Sequence, residues 1–155
     1  DNNINDIKKR LSVQSISQDK MNQLRHFKFF NDVNGIKQHM KKHAAILKPK
    51  FNCVLDILDN ELKSKDIASW HNPKGGYFIS LDVMPGCAKR VGMLCKEAGV
   101  VLTTIGATFP YGKDPQDSNI RIAPSYPSID ELSKAAKLLC VCVQIAAIEC
   151  LLNKN

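Results

Sequence analysis

The stretch from Val100 to Ser125, VVLTTIGATFPYGKDPQDSNIRIAPS, constrains this chain more than any other. It reads as a strand, a long loop punctuated by glycine and proline, and a second strand, so the fold has to include a sheet. In NIRIA, Ile120 and Ile122 point to one face of a pleated strand, while Asn119, Arg121 and Ala123 point to the other. A single guanidinium fixed on a strand after a structured loop is a good carboxylate receptor. It is planar, permanently charged and able to meet both carboxylate oxygens at once. The competing reading is a surface arginine on a half-exposed strand, and the strand alone does not decide between them.

The rest of the chain narrows the setting. Its 155 residues suit one domain with a sizeable core, or a piece of a larger protein. The opening DNNINDIKKR lacks an initiator methionine and the apolar centre of a signal peptide, so it reads as the middle of something. No apolar run reads as long enough to span a bilayer, and no membrane partner is expected. The net charge of +7 permits a nucleic-acid partner. However, the densest lysine run, Lys37, Lys41, Lys42, Lys48 and Lys50, falls on one predicted helix as a solvated face. No RNP-type, GXXG or zinc-finger pattern accompanies it, so no nucleic acid is expected. The six cysteines include no C-x-x-C pair and mostly sit among apolar residues. They read as small buried hydrophobes in a reducing compartment, which makes the expected location cytoplasmic. Cys140 and Cys142 are two apart on a predicted helix and cannot share a metal.

In chain order, residues 1 to about 16 form a frayed or helical lead-in. A short helix follows from Ser17, its possible N-cap, with Met21, Leu24, Phe27 and Phe30 as one stripe. A long helical pattern runs from about Asp32 to Lys63, striped by Val33, Ile36, Met40, Leu47, Phe51, Val54, Leu58 and Leu62. Pro49 within it removes the bond to Ala45 and is expected to kink or split the helix. His39 and His43 are four apart there, metal-ligand spacing in principle, but no third ligand is placed nearby and they read as surface or interface residues. His26 and His71 belong to no constellation. Ile67 to His71, the turn Asn72 to Gly76, and Tyr77 to Val83 predict a β-hairpin. Pro85 opens a helix striped by Val91, Leu94 and Ala98, with Gly99 at its stop. Ser128 and Glu131 form a capping box, and Ile129, Leu132, Ala136, Leu139, Val143, Ala147 and Leu151 stripe a last helix. The order predicts helices followed by ββαββα: an α+β fold, a small, mostly antiparallel sheet covered by helices.

Five segments in this order carry a wider pattern: NQLRH (22–26), MKKHAAILKPKF (40–51), KGGYFISLDV (74–83), GATFPYGKDP (106–115) and NIRIAPS (119–125). With them, the chain from about Ser17 to Leu152 resembles the C-terminal part of the fold-type I, aspartate-aminotransferase-like enzymes that use pyridoxal 5'-phosphate. The nearest resemblance is to a bacterial subgroup of class I aminotransferases. The resemblance implies that Arg121 binds the substrate α-carboxylate and that Phe78 lines the substrate pocket, with Tyr77 beside it. It places Thr108, Phe109 and Tyr111 in the loop that rims the active site. It also implies a lead-in from a large domain over 1–31, partly helical, a Pro-kinked connector helix over 32–64, and a small α+β domain over 65–155 that closes on substrate.

The Schiff-base lysine of that family has no counterpart here, since Lys8, Lys9 and Lys20 do not match its position. The expectation is therefore that this lysine, and most of the cofactor's seat, lie upstream in a large domain. No catalytic residue and no metal ligand is assigned to this chain, which alone should hold no pyridoxal phosphate and should not transaminate. The partners expected are amino acid and 2-oxo acid substrates, the large domain, and a second copy in a homodimer. The alternative is a stand-alone α+β ligand- or protein-binding module without catalysis.

Overall fold

The chain opens with helices α1, Asn2–Gln14, and α2, Lys20–Phe30, in a computed structural model that describes residues 2–15 and 19–153. Asp19 caps α2, its side chain accepting from the Asn22 N–H at 2.9 Å. The predicted cap Ser17 lies outside the described residues. Helix α3, Val33–Leu62, carries Pro49 inside it and does not split there. One lost bond, to Ala45, is outweighed by the stripe that follows: Phe51, Val54, Leu58 and Leu62 are buried and hold the helix to the core. The chain divides within α3 into two compact units, Asp1–Ala44 and Ala45–Asn155. In the first, the predicted apolar stripes face solvent, with Met21, Leu24, Phe27, Val33, Ile36 and Met40 all exposed.

The second unit is built on a three-stranded antiparallel sheet in the order β1-β2-β3, from Ala68–Trp70, Ile79–Val83 and Asn119–Ile122. Strict alternation sends Ile79, Leu81, Ile120 and Ile122 into the core. There they meet Val54 and Leu58 of α3, Val91 and Cys95 of α4 (Ala88–Glu97), and Leu139 and Val143 of α5 (Ile129–Leu152). Each such fully buried aliphatic side chain contributes about 1.5–3 kcal/mol.

The architecture is α+β, but with one strand fewer than predicted: ββαβα. Val100–Thr104 pairs with no strand. Its apolar residues are used otherwise: Val100, Leu102 and Ile105 pack against the core, and Ile105 lies so close to α4 that a Cβ on Gly92 would meet its Cγ1 at 2.9 Å. A β-prone sequence needs a half-buried surface to fit, and a helix can supply one. Helix α4 starts at Ala88, not at Pro85, because Gly86 first turns the chain with a positive φ of 84°. The predicted stop is present: the N–H groups of Gly99 and Val100 donate to Lys96 and Cys95 carbonyls at 3.1 and 2.8 Å, a Schellman closure with Gly99 left-handed.

Helix α5 starts at the predicted capping box, in which the Ser128 hydroxyl accepts from the Glu131 N–H and the Glu131 carboxylate accepts from the Ser128 N–H at 2.8 Å. At 24 residues α5 is long and apolar enough to cross a bilayer by length and composition, which corrects the expectation that no such run exists. Part of its apolar character is used within the fold, where Leu132, Ala136, Leu139, Val143 and Ala147 are buried, while Ile129 and Leu151 of the predicted stripe, with Val141, Ile148 and Leu152, are exposed. Arg90 of α4 grips Glu149 of α5 in a two-pronged pair at 2.7 and 2.8 Å.

Candidate functional site

The register pairs Ser80 with Arg121 and Asp82 with Asn119, which puts four polar side chains on the sheet face opposite the core. Arg121 lies over the ring of Phe78, its Cζ 4.5 Å from the centroid. Phe78 precedes β2 and is 47% exposed, so its ring covers one side of the guanidinium at the edge of the sheet. The Nε of Arg121 is buried and meets no hydrogen-bond acceptor among the described residues. Leaving such a donor unmade costs about 1–3 kcal/mol, which an incoming acceptor would recover. A carboxylate suits the fork best, because its two oxygens match two parallel N–H groups.

Asn119, buried beside Arg121, joins the loop to the sheet. Its Nδ2 donates to Ser80 Oγ at 2.9 Å and to Asp82 Oδ1 at 2.7 Å, and its Oδ1 accepts from the Thr108 hydroxyl at 2.8 Å. Asp114 holds the other end of the loop. One of its carboxylate oxygens accepts from the N–H groups of Ser118 and Asn119, each at 2.8 Å, and the other from Gln116 at 3.0 Å. These backbone donors, Asn119 foremost, hold the Asp114 carboxyl below its usual pKa against a smaller opposing effect of burial. Gly106 and Gly112 both have positive φ, and a Cβ on Gly106 would collide with the Gly112 carbonyl, so the loop closes tightly on itself. Beyond β3, Lys50 of α3 donates to the carbonyls of Ser125 and Tyr126 at 2.8 and 3.3 Å. That corrects its reading as part of a solvated lysine face.

Of the residues singled out in the sequence, the structure brings Arg121 and Phe78 together. Thr108 is spent on Asn119 and shapes the loop. Phe109 is half-buried, while Tyr77 and Tyr111 are exposed, Tyr111 at 98% with a left-handed φ of 57°. No hydrogen bond or ring contact among the described residues joins Tyr77, Phe109 or Tyr111 to Arg121. Asn119, Ser80, Asp82 and Asp114 escaped the sequence reading as site residues. The alternation that put Asn119 on the face of Arg121 was the available signal for the first, and the Asx-turn composition of DPQDSN for the last.

The whole chain, residues 1–155, matches the family described as aspartate amino-transferase. A protein of Mycolicibacterium smegmatis, provisionally named an aminotransferase, is 49% identical over 145 residues, which cover 94% of this chain and 34% of its own length. The crystal structure of an aspartate transaminase from Corynebacterium glutamicum superposes with a TM-score of 0.85 at 48% identity, covering 90% of this chain and 33% of that one. The α-aminoadipate aminotransferase of Thermus thermophilus, solved with N-(5'-phosphopyridoxyl)-L-leucine, shares the fold with a TM-score of 0.62 at 17% identity. It covers 72% of this chain and 28% of its own. The chain spans about a third of the length of the curated relatives it matches.

Proposed function

The chain belongs to the aspartate amino-transferase family, and on that premise we propose that it is the C-terminal, substrate-binding part of a pyridoxal-phosphate-dependent aminotransferase that interconverts amino acids and 2-oxo acids. The observation that carries the reading is the buried, unpartnered Nε of Arg121 on the polar face of the sheet. An α-carboxylate is the ligand common to both substrates, and a fork held over Phe78 would receive it with less ordering. That pre-paid orientation lowers the entropic part of the barrier. Asn119 and Asp114 act through Arg121: they fix the strand and the loop that frames it.

The family's cofactor supplies an electron sink for amino-group transfer. The residues around Arg121 do not fit it. Among the described residues, the side chains stacked on Arg121 or bonded to Asn119 are Phe78, Ser80, Asp82 and Thr108, with no lysine among them. This chain's part is to bind and orient. The reading extends to α3 as the connector to the rest of the enzyme, to closure of the 65–155 domain on substrate, and to a homodimeric, cytoplasmic enzyme. The apolar residues exposed on α2 and α3, among them Met21, Phe27, Val33 and Met40, support a covering partner. The absence of a disulfide among the described residues supports a reducing compartment.

The test is Arg121→Lys in the intact enzyme, which keeps the charge and loses the planar fork. A fall in kcat/KM for amino acids of about 10-fold or more, roughly 1.4 kcal/mol of transition-state stabilisation, is expected. An unchanged value would show that the carboxylate is held elsewhere.

A further inference from the structure

The first unit holds a pair of groups that the transamination reading does not use. His39 and His43 sit one turn apart on α3 with their Nε2 atoms 2.9 Å from each other and their rings 4.5 Å apart between centroids. His39 is fixed from behind, packed edge-on against Phe29 and Phe30 at 5.5 and 5.3 Å. Because the two Nε2 atoms converge, both Nδ1 atoms point away. We propose that this pair is a two-imidazole chelate for a divalent transition ion that prefers right-angled coordination, of the nickel(II) or copper(II) class.

The donor atoms set the class of ion. Metal–imidazole bonds of about 2.0–2.1 Å set two nitrogens about 2.8–3.0 Å apart when they meet at a right angle, and about 3.3–3.4 Å apart at the tetrahedral angle. The two Nε2 atoms, 2.9 Å apart in their mutual hydrogen bond, can take neighbouring right-angled positions with little movement, and imidazole nitrogens suit nickel and copper. No third histidine, cysteine, aspartate or glutamate completes a set of three among the described residues, so water fills the remaining positions. No carboxylate completes the pair among the described residues, and Lys37 and Lys41 lie on the far side of the helix, so charge does not hold a cation here. Only an ion that forms strong bonds to nitrogen is held, which excludes calcium and magnesium. In the neutral pair one Nε2 carries a proton that it donates to the other. On binding, that ring passes its proton to Nδ1, and both Nε2 lone pairs face the ion. No redox step and no net proton release are involved.

The test is calorimetric titration of the 155-residue chain with NiCl2, ZnCl2 and CaCl2 in separate runs, after alkylation of accessible thiols. One nickel site is expected, bound more tightly than zinc, with no calcium binding. His43→Ala, an exposed position that leaves the packing of His39 on Phe29 and Phe30 in place, should weaken nickel at least 10-fold. His39→Ala should do the same, with helix content checked by circular dichroism in both variants. Nickel affinity unchanged in His43→Ala, zinc bound more tightly than nickel, or no nickel binding by the native chain would each overturn the proposal.

Discussion

Replacing Gly106 by alanine should damage the loop more than any other single-methyl change there, for two separable reasons. The first is conformational. Gly106 holds φ at +86°, and an L-residue in the left-handed region costs about 1–2 kcal/mol. The second is steric. The added Cβ would sit 3.0 Å from the Gly112 carbonyl carbon and closer still to its oxygen, well inside the ordinary contact distance. Backbone on both sides leaves no flexible side chain to give way, so the overpacking adds about 1–3 kcal/mol, for roughly 2–5 kcal/mol in all. Gly112→Ala isolates the first effect. It has φ +68° but no atom within 4 Å of the new methyl, so about 1–2 kcal/mol is expected. Gly75→Ala is the baseline, with open space and no positive φ, and should change stability by less than about 1 kcal/mol. Trp70, the only tryptophan, lies in β1 against the core and reports unfolding of the second unit by fluorescence. With a urea slope of about 1.5 kcal/mol/M, a loss of 3 kcal/mol lowers the midpoint by about 2 M. If Gly106→Ala is no worse than Gly112→Ala, the close approach of the two loop arms is wrong. If all three behave alike, the left-handed turns are wrong as well.

Two further outcomes follow from ionisation and burial. Backbone donors led by Asn119 hold Asp114 below its ordinary 3.8, and Arg90 holds Glu149 below 4.5, so both stabilise the fold above those values and lose that contribution as pH falls through their depressed folded-state pKa values. Urea midpoints measured from pH 7 to pH 3 should fall more gently in Asp114→Asn than in the native chain, and an identical profile would deny Asp114 its role. Burial pushes the thiols of Cys95 and Cys140 up to about 12, so at pH 8 they should resist maleimide in the folded chain while partly exposed Cys53 reacts. Mass spectrometry of the labelled peptides reads this directly, and rapid labelling of Cys95 without denaturant would contradict the packing of α4 on α5.

What could be read from the residues alone followed how local the determining physics is. The start of α5 was legible because a capping box is decided within four residues, and its buried stripe because a helix repeats its facing every turn. The hairpin was legible for the same reason, with alternation sorting Leu81 from Asp82. Val100–Thr104 misled because β-prone side chains are satisfied by any half-buried surface, and here α4 supplies it through the space left at Gly92. Pro49 does not split the helix as one of its two expected effects would have it: its local cost is real, but four buried residues on the following turns outweigh it. In the site, the position of Arg121 was local while its state was not. Whether a strand arginine is a surface charge or half-buried depends on what shields it, and here that is Phe78, forty-three residues earlier in the chain, beside the loop that Asn119 ties down. Asn119 was on the right face from the start, yet its importance arises only once Ser80 and Asp82 of β2 and Thr108 of the loop converge on it from two separate segments. On the proposed reading, such a receptor is tuned by residues that need never touch its ligand. Loss of Asn119 should therefore loosen Arg121 while leaving its charge intact, a change that would appear in substrate orientation before it appears in charge-driven attraction.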